Sequence, residues 1–269
     1  MAVVTTDISD HIAVVTLNRS DARNSLDPEL IVELAATWHR LAGDDDVRVI
    51  VVTGAPGTTF CSGFDLGTTI PLMTGGREPR NAFEQAVADD LGLLGVATLR
   101  DYDVGKPLVA AVNGHAIAGG MELMLACDLR VVTSGVRLGL SEVALGLIPA
   151  MGGTARLSRH LPRAIAMELL LGAKPMSSDE LAAHGVINRL VDGPDDVLPV
   201  AIELAGTLAG NAPLALRAAR DVIRASSDLP EADALALEAA RSAELSRTED
   251  AKEGPRAFME KRPPHFTGR

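Results

Sequence analysis

The sequence has little cysteine, no excess of cationic residues and no long apolar run, and each shortage argues against a class of function. Only two cysteines, Cys61 and Cys127, occur in 269 residues. Neither has a neighbour at metal-ligand spacing, which argues against a cysteine-built metal site or a disulfide framework. One disulfide is allowed by count, but two small buried thiols in a reduced protein are the simpler expectation. Lys and Arg number 25 against 36 Asp and Glu, a formal net charge of -11. An acidic surface repels a phosphate backbone, so nucleic acid is not the expected partner, although local basic patches can still meet an anionic ligand. Glycines or charges break every apolar run before it reaches membrane-spanning length. The N-terminal MAVVTTDISDH has neither a basic n-region nor an apolar h-region. The expectation is a soluble, cytoplasmic protein.

Other signatures are missing as well. The turn Gly54-Ala55-Pro56-Gly57 lacks the Gly-Lys-Ser/Thr ending of a phosphate loop, and no GxGxxG occurs. Ser62 and Ser141 do not sit in a GxSxG elbow, and spacing does not join them to His115 as a hydrolytic triad. His115 reads as a structural turn residue. Cys61 has no neighbouring base to activate it as a nucleophile.

What is present is enough apolar material for a sizeable core, 47% of a chain long enough for one large domain or a domain plus a helical extension. The first half alternates strand and helix patterns, the mark of an α/β fold. His11–Leu17 reads as a strand. Asp27-Pro28 starts a helix, with Asp as N-cap and Pro at the first helical position. Leu30, Leu34, Trp38 and Leu41 share one face of that helix, which closes at Gly43. Val47–Thr53 and Leu108–Val112 read as strands buried on both sides. Residues 67–103 are loosest, with Phe83, Val87, Leu91 and Leu94 at helical spacing over Asn81–Leu99, as a core-facing helix or a mobile wall of a ligand pocket. Met121–Cys127 reads as a helix and Leu129–Val132 as a strand. Beyond about residue 160 the pattern is helical, roughly 163–171, 178–184, 195–210, 213–226 and 230–249, with one short strand-like run at Val186–Val191. The last three helices carry apolar stripes that need a partner, either the first domain or another subunit.

Two glutamates stand out. Glu122 lies just after Gly119-Gly120 at a helix start, where free N–H groups favour negative charge. Glu142 follows Ser141 in LGLSEVALGLIPAMGG. Each has an ordinary explanation: Glu122 complements the helix dipole, and Glu142 is a turn residue on a surface helix. Brought together, they could hold one water molecule between them. A third segment, TFCSGFDLG at 59–67, puts the Phe64 N–H after a glycine turn, where it could point into a cavity.

These segments carry a resemblance. NRSDARNSL at 18–26, VIVVTGAPGTTFCSGFDL at 49–66, KPLVAAVNGHAIAGGMELMLACDLRV at 106–131, LSEVALGLIPAMGGTARLSR at 140–159 and EGPRAFMEKRPPHF at 253–266 occur in the order of the enoyl-CoA hydratase/isomerase, or crotonase, family, which the chain resembles along nearly its full length. The resemblance implies an α/β fold, a spiral of ββα units followed by a helical trimerisation region. The core domain would span 1–195 and bind acyl-CoA, and 196–269 would form the oligomerisation region of a homotrimer or dimer of trimers. It implies an oxyanion hole from the N–H groups of Phe64 and Gly119. Glu122 and Glu142 would be the catalytic acids, as in hydratases, with Glu142 donating to Cα and Glu122 activating water. Coenzyme A would lie along Ala22, Arg23 and the loop of Phe64, Asp65, Leu66 and Gly67, with Phe258 and Lys261 reaching a neighbouring subunit's nucleotide. It would arrive as part of the substrate, with no separate cofactor and no metal.

The implied activity is hydration of a 2-enoyl-CoA thioester. The alternatives are a Δ3-Δ2 isomerase, another crotonase reaction or a non-catalytic CoA-binding member. Three departures bear on the substrate: Phe64 replaces a small residue, Ala150-Met151 replaces the usual Gly-Ala, and residues 67–103 are longer than in the housekeeping enzymes.

Overall fold

The computed structural model describes residues 2–269. In chain order the strands are β1 (Val4–Ser9), β2 (Ile12–Leu17), β3 (Val49–Gly54), β4 (Thr59–Cys61), β5 (Leu108–Val112), β6 (His115–Ile117), β7 (Leu129–Thr133), β8 (Arg137–Gly139), β9 (Met176–Ser177) and β10 (Arg189–Val191). The helices are α1 (Pro28–Ala42), α2 (Thr69–Met73), α3 (Ala82–Asp89), α4 (Gly92–Ala97), α5 (Gly119–Ala126), α6 (Gly153–His160), α7 (Arg163–Gly172), α8 (Ser178–Ala183), α9 (Pro194–Ala209), α10 (Pro213–Ser226), α11 (Glu231–Leu245) and α12 (Glu249–Met259).

Two sheets result. One has the order β1-β2-β3-β5-β7-β10 and is parallel except for the β1–β2 pair; the other has the order β4-β6-β8-β9 and is parallel except for β8–β9. The chain gives one strand to each sheet in turn, β3 then β4, β5 then β6, β7 then β8, with helices following each pair. That is a spiral of ββα units, as the resemblance implies.

The larger sheet is covered on both faces, so its central strands β3, β5 and β7 are buried almost throughout and mostly apolar. Ile50 and Val52 of β3 face the main core with Leu30, Leu34 and Trp38 of α1, whereas Val49 and Val51 face Val197, Ala201, Ala205 and Ala209 of α9. These α9 residues recur every four positions, and their small size brings the helix close to the strands. The expected boundary at 195/196 thus falls in the first turn of a helix whose buried stripe packs on the sheet. No single helix among the described residues is long and apolar enough to cross a membrane.

The helix α1 starts as its sequence predicts, with the Asp27 carboxylate accepting from Leu30 N–H at 2.9 Å and Pro28 in the first turn. Trp38, fully buried, donates its indole N–H to Ala97 O at 3.0 Å and ties α1 to the end of α4. The structure corrects several expectations. Residues 81–99 form two short helices, because the Asp90 carboxylate accepts from Gly92 N–H at 2.8 Å and bends the chain between them. Within 186–191 only Arg189–Val191 pairs as a strand. The expected helix at 121–127 begins two residues earlier, at Gly119. The last expected helix stops at Leu245, and α12 follows despite Pro255 inside it. Both cysteines are free and buried.

Close α9–sheet packing is testable. Ala205→Leu inserts a larger side chain between α9 and the strands and should lower stability by about 1–3 kcal/mol, read as a lower urea midpoint at unchanged slope. An unchanged midpoint would mean that the helix does not rest on the sheet.

Candidate active site

Three loop segments at the strand ends meet in one place. The first, 20–26, is tied to the second, 62–67, by backbone and side chain. Leu26 N–H donates to Gly63 O at 2.8 Å, Asp65 N–H to Leu26 O at 3.1 Å and Ser62 N–H to Arg23 O at 3.2 Å. Asn24, fully buried, donates from its amide to Thr59 O at 2.9 Å. Because Leu26 bonds to the residues on either side of Phe64, the Phe64 N–H faces the other way, as in any extended strand.

The third segment, 117–120, lies on that other side. Gly63 has φ +87°, and a Cβ there would stand 2.8 Å from the Ala118 Cβ and 3.0 Å from Gly119 N. The Phe64 ring packs within 3.4 Å of the point where a Gly119 side chain would begin. Ala118 holds φ +52° and ψ -127°, a conformation costly for a residue with a side chain. It turns the chain sharply into α5, so that the Gly119 N–H heads the helix with no carbonyl before it to bond. Neither the Phe64 nor the Gly119 N–H donates within the chain. The structure therefore brings together the two expected oxyanion donors, side by side.

Glu122 follows one turn into α5 and is 1% exposed. Its Oε1 accepts from Met151 N–H at 2.7 Å and Gly153 N–H at 2.8 Å. Burial pushes the carboxyl up to about 7; the Gly153 and Met151 N–H groups and Arg156 hold it down, while the charge of Glu142 pushes it further up. Glu142 is half-buried at the head of a short 3-10 turn, Glu142–Leu145. Burial raises its pKa as well, against the pull of its own and the Ser141 N–H groups. Its Oε2 is buried with no hydrogen-bond partner. The two carboxyls are near enough for the charge of Glu142 to act on Glu122; one is saturated on one oxygen and the other has an orphaned acceptor.

The ligand-binding residues expected from sequence divide into three. Ala22, Arg23, Leu66 and Gly67 lie together along the 20–26 and 64–67 loops, with Leu66 64% exposed and Arg23 exposed. The Asp65 side chain makes its hydrogen bonds within the loop. Its carboxylate accepts from Ser25 Oγ at 3.0 Å, Gly67 N–H at 2.9 Å and Thr68 N–H at 3.0 Å. Burial pushes it up, but the bonds from Thr68, Ser25 and Gly67 outweigh that and hold it below the usual carboxylate range. It shapes the loop rather than presenting a free charge. Phe258, 83% exposed, and Lys261 lie on the surface of the single chain. The α12 segment carrying Phe258 is braced by its own Glu253–Arg262 pair and by Asp250 with Thr267 and Gly268, with no hydrogen bond to 20–26 or 64–67.

Sequence reasoning missed the Met151 and Gly153 donors. The cue was Gly152-Gly153 at the start of α6, the same glycine-pair-before-helix pattern that marked Gly119-Gly120.

The enoyl-CoA hydratase/isomerase family profile matches residues 7–269. The chain belongs to this family. The (E)-benzylidenesuccinyl-CoA hydratase of Thauera aromatica is 36% identical over 98% of this chain and 99% of its own length. An enoyl-CoA hydratase of Mycobacterium tuberculosis is 36% identical over 96% of this chain and 94% of its own. Among solved structures, the enoyl-CoA hydratase of Bacillus anthracis superposes with a TM-score of 0.89 at 31% identity, covering 99% of this chain and all of that one. The family accounts for the spiral of ββα units and for the order in which the three site segments occur.

The raised pKa of Glu122 has a consequence for stability. With its folded value about 7 against an ordinary 4.5, the folded state binds the proton more tightly, so stability is highest at low pH and falls as pH rises from 4.5 through about 7. Glu122→Gln keeps an acceptor for both N–H groups and removes the charge. The variant should gain on wild type by up to about 3 kcal/mol between pH 4.5 and 8, measured by urea unfolding at both pH values. A gap independent of pH would rule out a buried ionising Glu122.

Proposed function

We infer that the protein is an enoyl-CoA hydratase, adding water across the 2,3 double bond of a 2-enoyl-CoA thioester. The observation that carries this reading is Glu142 Oε2, a buried carboxylate oxygen without a donor, whose charge acts on a second carboxyl with its Oε1 already saturated. A buried unpaired acceptor costs about 1–3 kcal/mol, and a water molecule between the two groups satisfies it. Both carboxyls have pKa values raised by burial, so near neutrality the pair can hold one proton and one charge.

The chemistry follows. Ionised Glu122 takes a proton from the water through Oε2 as the water oxygen bonds to Cβ. The π electrons shift toward Cα and the thioester oxygen, where the Phe64 and Gly119 N–H groups stabilise the developing negative charge, each worth about 2.7–4 kcal/mol in comparable sites. Protonated Glu142 delivers its proton to Cα. One water is consumed, and proton exchange resets the pair.

On the same reading, coenzyme A lies along Ala22, Arg23, Asp65, Leu66 and Gly67 as part of the substrate, with no other cofactor. Arg23 supplies charge for phosphate on an acidic protein. The chain assembles as a homotrimer or dimer of trimers, in which Phe258 and Lys261 reach a neighbour's nucleotide. The exposure of Phe258, Met259, Ile223 and Leu235 in the single chain supports this, since each is more than half exposed.

Loss of crotonyl-CoA absorbance on adding enzyme tests the reaction, and no turnover of short, medium or long 2-enoyl-CoAs would refute it. A 3-enoyl-CoA converted without hydration would mark an isomerase. Thioester binding with no turnover would mark a non-catalytic member. Glu122→Gln and Glu142→Gln should each lower kcat by about 10²- to 10⁴-fold with KM little changed. The kcat/KM profile should fall below pH about 7 as Glu122 takes up its proton. Full activity in both variants would remove the assignment.

A further inference from the structure

Glu122 depends on two N–H groups from one tight turn, and that turn is held from behind. Gly152 has φ +101°, and a side chain there would begin 2.7 Å from Nη1 and 3.1 Å from Cζ of Arg156. The guanidinium, from the first turn of α6, folds back to lie against the turn. Its Nη1 donates to Met151 O at 3.4 Å and its Nη2 to Leu99 O at 2.6 Å. Met151 is thus gripped on both sides, its carbonyl by Arg156 and its N–H by the Glu122 carboxylate. Arg156 also fastens the turn to the end of the 67–103 segment, at a residue with φ +56°. On its far side Arg156 faces a cleft shared with Arg130, Arg220 and Arg224. Among the described residues it forms no ion pair within 4 Å, so its charge is left to act on the groups around it.

The geometry points to Arg156 as a positioning residue for the hydration reaction: it holds the Met151–Gly153 turn so that both N–H groups meet Glu122 Oε1. It reaches the chemistry only through Glu122. The inference rests on the reading of Glu122 as the water-activating carboxylate. The charges facing Glu122 are Glu142 from the 3-10 turn and Arg156 from α6; those facing Arg156 are Arg224 of α10, Arg130 of β7, Asp101 and Glu122, with the Cys127 thiol and the His160 imidazole beside them. Arg156 is the positive charge that opposes the effects of burial and of Glu142 on Glu122.

The test uses purified full-length Arg156→Gln and Arg156→Lys, alone and combined with Glu122→Gln, assayed with crotonyl-CoA across pH. Arg156→Gln should lower kcat about 10- to 100-fold, as a displacement of about 1 Å does in an active site, with KM nearly unchanged. The acid limb of its kcat/KM profile should move to higher pH. Arg156→Lys keeps the charge but cannot span Met151 O and Leu99 O, so it should restore the acid limb and only part of kcat. In the Glu122→Gln background Arg156→Gln should cost little more, because both act through one group. A folded Arg156→Gln with wild-type kcat and acid limb would overturn the inference, as would an equal loss with and without Glu122. Failure of both variants to fold would make Arg156 a structural residue and overturn it equally. Full activity of Glu122→Gln would instead refute the catalytic reading on which it rests.

Discussion

The site depends on keeping a carboxylate out of water. Glu122 is nearly inaccessible, and an ionised carboxylate in such a place is tolerated only with donors in fixed positions. The donors are two backbone N–H groups of the 151–153 turn, which cannot rotate away as side chains can. This one requirement constrains much of the rest. The turn must keep its shape, α6 must start where it does, and the strained Ala118 must feed α5 at an angle that aims Glu122 at the turn. The sheet and α9 supply the rigid base on which these loops keep their spacing.

The balance at Glu122 is a poised one. Burial and a second carboxyl favour the proton; two N–H dipoles and a guanidinium favour the charge. A carboxyl left to burial alone would stay neutral and be a poor base, and one surrounded by cations would hold its charge but lose basicity. The intermediate value near 7 comes from groups contributed by four different segments, which is why none of them could be recognised as functional by itself.

Much of the fold was legible in the sequence because its signals are local. Asp27-Pro28 announces α1, the run VIVV announces a strand covered on both sides, and the family motifs fix the order of units. The second sheet escaped because β4, β6 and β8 have three residues each, too short for a period to show. The break at Asp90 escaped because the apolar spacing of Val87 and Leu94 continues across it, while the Asx turn depends on one side chain. Within the site, the residue types of Glu122 and Glu142 were visible, as was the glycine before Phe64. The two donors to Glu122 were not, since backbone N–H groups have no letter of their own.

Trp38 is the one tryptophan of the chain, and its indole donates to the carbonyl of Ala97, two residues before the Leu99 carbonyl that Arg156 grips. The protein therefore carries its single tryptophan fluorophore at the joint between its rigid helix layer and the segment leading to the site. Its emission reports that joint and no other part of the chain, so tryptophan fluorescence amounts to a built-in gauge of whether the 67–103 segment stays docked while ligands come and go.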